Sequence, residues 1–239
     1  MPNPLEGVDQ SNAPYIIVSS DTHAGLYVDD YREYLESSVH PQFDEWLKSR
    51  HEHRVMVEEM NGAYVEQWES ENEHGLKGAY DPDIRDEALD ADGIAGEVIF
   101  ADGDAVTGME APPFGAGLHA GAITDPKLAW AGARAHNRWL AEWCQDLPGR
   151  RAGLAQVFPN DVDASVAEIH WAAERGLKGI LFPAIPPDAD VPKLWTDVYD
   201  PIYRACEETG LSVNQHGGSG IPDYSTASIK NFLMIMEVP

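Results

Sequence analysis

The chain has 239 residues, and its 41 acidic and 16 basic side chains give a formal net charge of -25. Such an acidic surface repels nucleic acids and anionic membranes, so we expect neither as a partner. No apolar run approaches the roughly 18 residues of a membrane span, and residues 1–14 lack the basic and apolar parts of a secretory signal. Cys144 and Cys206 lie in helical patterns, which predicts buried, reduced thiols and a cytoplasmic location.

The first half of the chain predicts two strands separated by a long helical segment. The apolar residues 15–18 run into Ser19, Ser20 and Asp21 and are typical of a buried strand. Residues 27–92 have mostly helical patterns, and we interpret them as an insertion after the first strand. Residues 94–101 predict the second strand, and the prolines and glycine of residues 111–115 predict a loop.

The second half of the chain predicts a regular alternation of helices and strands. Helices are expected at residues 128–147, at 161–175 with Asp161 or Asp163 as a cap, and from Asp200 as N-cap with Pro201 next. Strands are expected at residues 153–158, 179–182 and 211–216. Gly176 and Gly210 end two of the helices, and a leucine and a strand follow each glycine.

This repeated helix-strand unit is typical of a parallel sheet with right-handed crossovers. The predicted class is therefore α/β, either a (β/α) barrel or an open doubly wound sheet. No glycine-rich G-x-G-x-x-G motif follows the first predicted strand, which disfavours a dinucleotide-binding domain.

Polar side chains follow the first and fifth predicted strands, where a parallel barrel places its active site. Asp21 and His23 come just after the first apolar run, and a spacing of two puts both side chains on one side of an extended chain. His216 ends the fifth strand, before the glycines of residues 217–220. Together the three residues predict a divalent metal site at the mouth of the barrel. The alternatives are a turn-capping Asp21, a surface His23 and a His216 bound to a backbone carbonyl.

Three further residues are predicted to bind substrate, namely Phe100, Asp102 and His119, which lie at the end of the second strand or in the loop after it. An acidic turn is the alternative interpretation of Asp102. The pair His51 and His53 does not share a helix face, so these side chains are expected in solvent.

Six sequence stretches together resemble a known family. They are VSSDTH at 18–23, DADGI at 90–94, HNRWL at 136–140, DLPGR at 146–150, GLKGI at 176–180, and residues 199–220. Over nearly the whole chain and in the same order, they are similar to the amidohydrolase-related metal-dependent hydrolases. That branch also contains aminocarboxymuconate-semialdehyde decarboxylase and the aromatic-acid decarboxylases.

The resemblance implies a distorted (β/α)8 barrel that binds one divalent metal. Asp21 and His23 match an acid-x-His form of the first-strand motif, and His216 matches the fifth-strand ligand. The family's sixth-strand histidine, often a general acid/base, and its eighth-strand aspartate have no counterpart within the 239 residues. We therefore expect a single partial domain, 1–239, with about the first five strands, C-terminally truncated and with the catalytic acid/base beyond residue 239.

The expected function is that of a metal-dependent hydrolase that acts through a metal-activated water on a small molecule. One alternative is a non-oxidative decarboxylase of a small, aromatic carboxylic acid, and another is an inactive fragment or binding module. A metal-free aldolase is disfavoured because no lysine ends a predicted strand. A carboxylate ligand makes manganese as suitable as zinc. Formation of a homodimer is left open.

Overall fold

The computed structural model describes residues 15–101, 112–117, 125–182 and 191–216, without the side chains of residues 53, 54, 56–66, 68 and 69. Strands and helices alternate along most of this part of the chain. In chain order they are β1 (Ile17–Ala24), α1 (His40–Lys77), α2 (Pro82–Ala91), β2 (Ile94–Ala101), α3 (Pro126–Asp146), β3 (Arg151–Gln156), α4 (Val162–Glu174), β4 (Gly179–Leu181), α5 (Asp200–Thr209) and β5 (Ser212–Asn214).

The described strands form one parallel sheet in the order β1-β2-β3-β4-β5. Each strand pairs with the next strand in sequence, and the sheet curls into a half-barrel with helices between its strands. A doubly wound sheet reverses its strand order at a switch point, whereas a barrel does not. The strand order therefore confirms the barrel class and excludes the open-sheet alternative for these five strands.

The predicted helix boundaries are close to the observed ones because local capping groups set them. Asp161 precedes α4, and its carboxylate accepts a hydrogen bond from the Ala164 amide at 2.9 Å. Gly176 and Gly210, with φ of 86° and 73°, follow α4 and α5 in the left-handed region that glycine favours. The prediction of Asp200 as N-cap of α5 is wrong. A 3-10 turn (Asp197–Tyr199) runs directly into the helix, so Tyr199 is the N-cap and Asp200 is the first helical residue.

The predicted helical insertion is present between β1 and β2. It contains α1 and α2, preceded by two short 3-10 turns (Val28–Glu33 and Ser37–Val39). Phe43 is fully buried, and its ring and that of Trp46 contact Phe114 with centroids 6.0 and 5.7 Å apart. The start of α1 therefore packs on the segment that follows β2. Whether the whole chain acts as a single partial domain stays a prediction.

The first strand differs from its prediction. The apolar pattern predicts burial of residues 15–18, but Ile17 and Val18 are 51% and 57% exposed. The reason is that β1 lies at the edge of the described sheet, where it pairs with β2 alone, so one edge and much of its surface face solvent. Burial increases towards the carboxyl end of β1, where Ala24 is fully enclosed.

Most of the hydrophobic core lies between the sheet and helices α3, α4 and α5, and it includes Leu140, Ile169 and Ile180. Cys144 and Cys206 belong to it as free, buried thiols, as predicted. Burial raises their pKa values to about 12 and about 11, so both thiols stay protonated at neutral pH. Within the described ranges, none of the helices combines the length and the apolar composition that a membrane span requires.

Candidate metal centre

A β-bulge shapes the segment of β1 that carries Asp21 and His23. Ser19 pairs with Glu97 and Thr22 pairs with Ile99, so three residues of β1 advance beside two of β2. Such a bulge re-aims side chains and is common beside active sites. Asp21 and His23 therefore lie inside the strand and not after it, which corrects the predicted position. The apolar pattern alone could not reveal the extra residue.

The structure brings Asp21, His23 and His216 together at the carboxyl ends of β1 and β5. The Oδ1 atom of Asp21 lies 3.3 Å from Nε2 of His23 and 3.1 Å from Nε2 of His216. One ligand atom from each residue can be chosen so that all three lie within 4.8 Å of one another. The two imidazole rings meet edge to face, with centroids 5.0 Å apart.

This set of donors fits one divalent cation. Metal–ligand bonds to imidazole nitrogen and carboxylate oxygen are about 2.0–2.2 Å long, so an ion can reach ligand atoms at the observed mutual distances. Two nitrogens and one oxygen suit zinc, and the carboxylate also makes manganese acceptable. All three side chains are partly accessible to solvent, which leaves a path for the ion and for a substrate.

Phe100 forms an apolar wall beside the two histidines. It is buried near the end of β2, and its ring centroid lies 5.0 Å from that of His216 and 6.0 Å from that of His23. Its neighbours in a small buried cluster are Ala101, Leu154 and Leu181. The predicted substrate-binding residues Asp102 and His119 fall outside the described residues, as do the glycines of 217–220.

The sequence patterns did not identify the residues that contact β1 on the side opposite the candidate ligands. Glu97 is 1% exposed, and its Oε2 accepts hydrogen bonds from Arg85 Nε at 3.0 Å and Nη2 at 2.5 Å. The hydroxyl of Thr22 lies 3.0 Å from the same oxygen, and Arg85 Nη1 donates to the carbonyl of His23 at 2.9 Å. A glutamate inside the otherwise uncharged strand IAGEVIFA is the one signal that could have revealed this arrangement.

Other histidines lie away from the centre. His51 is exposed as predicted, and its Nε2 lies 3.3 Å from Asp29, whereas the side chain of His53 is not described. His136 is fully buried in α3, where its Nδ1 lies 2.8 Å from the hydroxyl of Tyr31. Burial lowers the pKa of His136 to about 3, so this imidazole is neutral and belongs to the core.

The amidohydrolase family model matches residues 97–235, which is more than half of the chain. The chain belongs to the amidohydrolase family. This assignment confirms the resemblance drawn from the ordered motifs. No curated protein matches the chain.

Several solved structures share the fold of this chain. A 5-carboxyvanillate decarboxylase from Novosphingobium aromaticivorans superimposes with a TM-score of 0.56 at 21% identity, over 92% of this chain and 56% of that one. An amidohydrolase from Mycobacterium avium subsp. paratuberculosis superimposes with a TM-score of 0.54 at 17% identity, over 94% of this chain and 61% of that one. A dihydroxybenzoic acid decarboxylase from Polaromonas sp. superimposes with a TM-score of 0.51 at 17% identity, over 93% of this chain and 55% of that one. This amidohydrolase chain thus spans little more than half the length of the structures it resembles.

Proposed function

We propose that this amidohydrolase chain binds one divalent metal ion, manganese or zinc, through Asp21, His23 and His216. The observation that carries the proposal is the convergence of three ligand atoms within 4.8 Å at the carboxyl ends of β1 and β5. Two of the similar structures, the decarboxylases from Novosphingobium and Polaromonas, contain bound manganese. A carboxylate beside two imidazoles is a donor set that accepts this ion as readily as zinc.

The residues of this chain bind the ion and shape one side of the substrate site. Asp21 supplies negative charge, while His23 and His216 bind through neutral nitrogens, so metal affinity falls when they are protonated. The ion, when bound, polarises a substrate oxygen or lowers the pKa of a water. Phe100 lies beside both histidines and offers an apolar contact to a ring of the substrate.

Decarboxylation of a small aromatic carboxylic acid is the reaction with the most support. The bond between the ring carbon and the carboxylate breaks, carbon dioxide leaves, and a proton takes its place on the carbon. The support is the aromatic wall of Phe100 beside the candidate ligands, together with the names of the two manganese-containing neighbours. Asp102 and His119, in the stretch of sequence after β2, remain proposed substrate-binding residues.

Hydrolysis is the second candidate, because the Mycobacterium structure is described as an amidohydrolase. In that reaction a water attacks a carbonyl carbon and the leaving group takes a proton. Both reactions require a proton donor or acceptor. A chain that binds metal without turnover is the third candidate. Homodimer formation and a cytoplasmic location also remain predictions.

The metal assignment is tested by metal analysis of the purified 239-residue chain. We expect one manganese or zinc ion per chain, and we expect Asp21→Ala to weaken binding at least about 100-fold in competition with a chromophoric chelator. Asp29→Ala is the matched control, because Asp29 also lies beside a histidine, His51, but away from β1. Absence of a stoichiometric ion, or equal binding by the Asp21 variant, contradicts the assignment.

The reaction is tested with substrates of the two classes. The manganese-loaded protein is incubated with 2,6-dihydroxybenzoate and 5-carboxyvanillate, with release of carbon dioxide as the readout, and with amides and lactones, with acid release as the readout. Carbon dioxide from an aromatic acid supports the first candidate, and acid release supports the second. Turnover that persists in Asp21→Ala would exclude a reaction at this centre.

A further inference from the structure

We propose that Arg85, Glu97 and Thr22 form a clamp that holds the bulged segment of β1 in the conformation required for metal binding. The inference rests on the proposed metal-binding function. The clamp joins three elements, since Arg85 lies on α2, Glu97 on β2 and Thr22 on β1. Its members are positioning residues, because they act through the main chain and side chains of β1.

The carboxylate of Glu97 is the centre of the clamp. Its side chain is fully buried, a position that is costly for a charged group without partners. Oε2 receives two hydrogen bonds from the guanidinium of Arg85, at 3.0 and 2.5 Å, which offset that cost. The same oxygen lies 3.0 Å from the hydroxyl of Thr22. One buried carboxylate oxygen therefore connects α2 to the segment of β1 that carries the candidate ligands.

Thr22 lies between the two candidate ligands of β1. Successive side chains of a strand point to opposite faces, so Thr22 faces away from His23 and towards the clamp. Its hydroxyl also lies 2.9 Å from the carbonyl oxygen of Val98 on β2. The contact is made directly after the bulge, where the regular ladder with β2 resumes. It therefore fixes the register at the point where a slip would turn His23 out of the centre.

Arg85 holds the main chain of His23 directly. Its Nη1 donates to the carbonyl oxygen of His23 at 2.9 Å and lies 3.3 Å from that of Gly78. The guanidinium is largely buried and lies 5.8 Å from the ring centroid of Trp143. Because the start of β1 is half exposed, these polar contacts supply the rigidity that apolar burial does not. A rigid ligand pair binds a metal more tightly, since less conformational freedom is lost on binding.

A neighbouring ion pair provides a control that separates positioning from general stability. Asp86 follows Arg85 on α2 and accepts a hydrogen bond from the buried Arg151 at 3.0 Å. Arg151 begins β3, at the end of that strand opposite its carboxyl end. Both pairs therefore fasten α2 to the sheet, but the pair formed by Arg85 and Glu97 also contacts the candidate metal-binding segment.

The test compares metal affinity among variants of the 239-residue chain that keep their fold by circular dichroism. We expect Arg85→Met and Glu97→Gln to raise the dissociation constant for Mn²⁺ or Zn²⁺ about 10- to 100-fold, the range typical of outer-shell partners. Arg85→Lys should recover part of the affinity. Thr22→Val, which removes only a hydroxyl, should weaken binding by a smaller factor. Asp86→Asn should lower the melting temperature of the metal-free protein without changing the dissociation constant.

Two outcomes separate this inference from the proposed function. If the wild-type chain binds one ion and folded Thr22→Val and Glu97→Gln bind it as tightly, the clamp does not position the ligands and the inference is wrong. A fall in affinity for Asp86→Asn equal to that of Glu97→Gln also overturns it, because general destabilisation then explains both. If the wild-type chain binds no ion, the proposed function itself fails.

Discussion

Strands β1 and β3 belong to the same parallel sheet but are held in it by different forces. In β3, every residue except Ala152 is buried; Ala155 belongs to the main hydrophobic core and Leu154 to the small buried cluster that contains Phe100. In β1, the first two residues are half exposed, and polar contacts with Glu97 and Arg85 hold the carboxyl end. The difference indicates that apolar burial holds β3 in the sheet, whereas hydrogen bonds hold the carboxyl end of β1, which carries two of the three candidate ligands.

The buried glutamates Glu168 and Glu97 differ in the part of the molecule that their hydrogen bonds support. Glu168 on α4 accepts hydrogen bonds from Asn137 at 2.9 Å and from Arg138, whose guanidinium stacks on Trp171 at 3.5 Å. This network connects α4 to α3, and Asn137 extends it to the main chain of Gln156 at the end of β3. Glu97 on β2 makes similar hydrogen bonds, to Arg85 on α2 and to Thr22 on β1. Similar buried charges thus support the helical layer in one place and the candidate site in the other.

The largest expected effect tests the difference in burial between the two regions. Leu140→Ala should lower the free energy of unfolding by about 3 kcal/mol, because Leu140 is fully buried and the change leaves a cavity. Val18→Ala should cost less than about 1 kcal/mol, because its side chain is 57% exposed. Urea unfolding of the two variants measures both values. Equal losses would mean that the start of β1 is covered in solution.

A second test concerns acid stability of the helical layer. Burial holds the pKa of His136 at about 3, below its ordinary value of 6.5, so the folded state disfavours the protonated form. This contribution to stability is fully present above pH 6.5 and is lost as the pH falls from 6.5 towards 3, by about 1.4 kcal/mol per pH unit. Between pH 6.5 and 4.5 we therefore expect the free energy of unfolding of His136→Gln to fall by about 2 kcal/mol less than that of the wild-type chain, as measured by urea unfolding. Parallel pH curves for the two proteins would contradict this account.

A third test compares the two buried glutamates directly. Glu168→Gln should lower the free energy of unfolding by about 2 kcal/mol, because it weakens charge-assisted hydrogen bonds in a largely buried network. It should leave metal affinity unchanged, because no member of that network contacts Asp21, His23 or His216 in the described residues. Glu174→Ala, an exposed change at the end of the same helix, should stay within about 0.5 kcal/mol. A loss of metal binding in Glu168→Gln would show that the two networks are coupled.

Local patterns predict most of the fold. The sequence predicts β2 at its observed bounds, the caps at Asp161, Gly176 and Gly210 have local causes, and the helix-strand repeat leads to the barrel. The spacing of Asp21 and His23 and the place of His216 also predict that the candidate ligands meet at one end of the sheet. Each of these inferences depends on neighbours in sequence or on a general property of parallel sheets.

Contacts between distant residues could not be predicted in the same way. The bulge in β1 depends on the ladder with β2, and the exposure of residues 15–18 depends on the position of β1 at the sheet edge. The clamp requires Arg85 to reach β1 across more than 60 residues of sequence. Tyr199 takes the place of Asp200 as N-cap because the preceding 3-10 turn continues into α5. In each case tertiary packing decides among conformations that the local sequence allows.

The smallest expected effect concerns the turn that leads into β5 and so towards His216. Gly210 has a φ of 73°, and a Cβ placed there would meet no atom within 4 Å, so backbone strain is the main cost of a side chain. Gly210→Ala should lower the free energy of unfolding by about 1 kcal/mol, and Gly210→Asn by less, because asparagine tolerates this conformation better. Neither variant should change the dissociation constant for the metal, because the turn precedes β5 and His216 follows that strand. If Gly210→Ala weakens metal binding beyond its effect on folding, the position of His216 depends on this turn and not only on the pairing of β5 with β4.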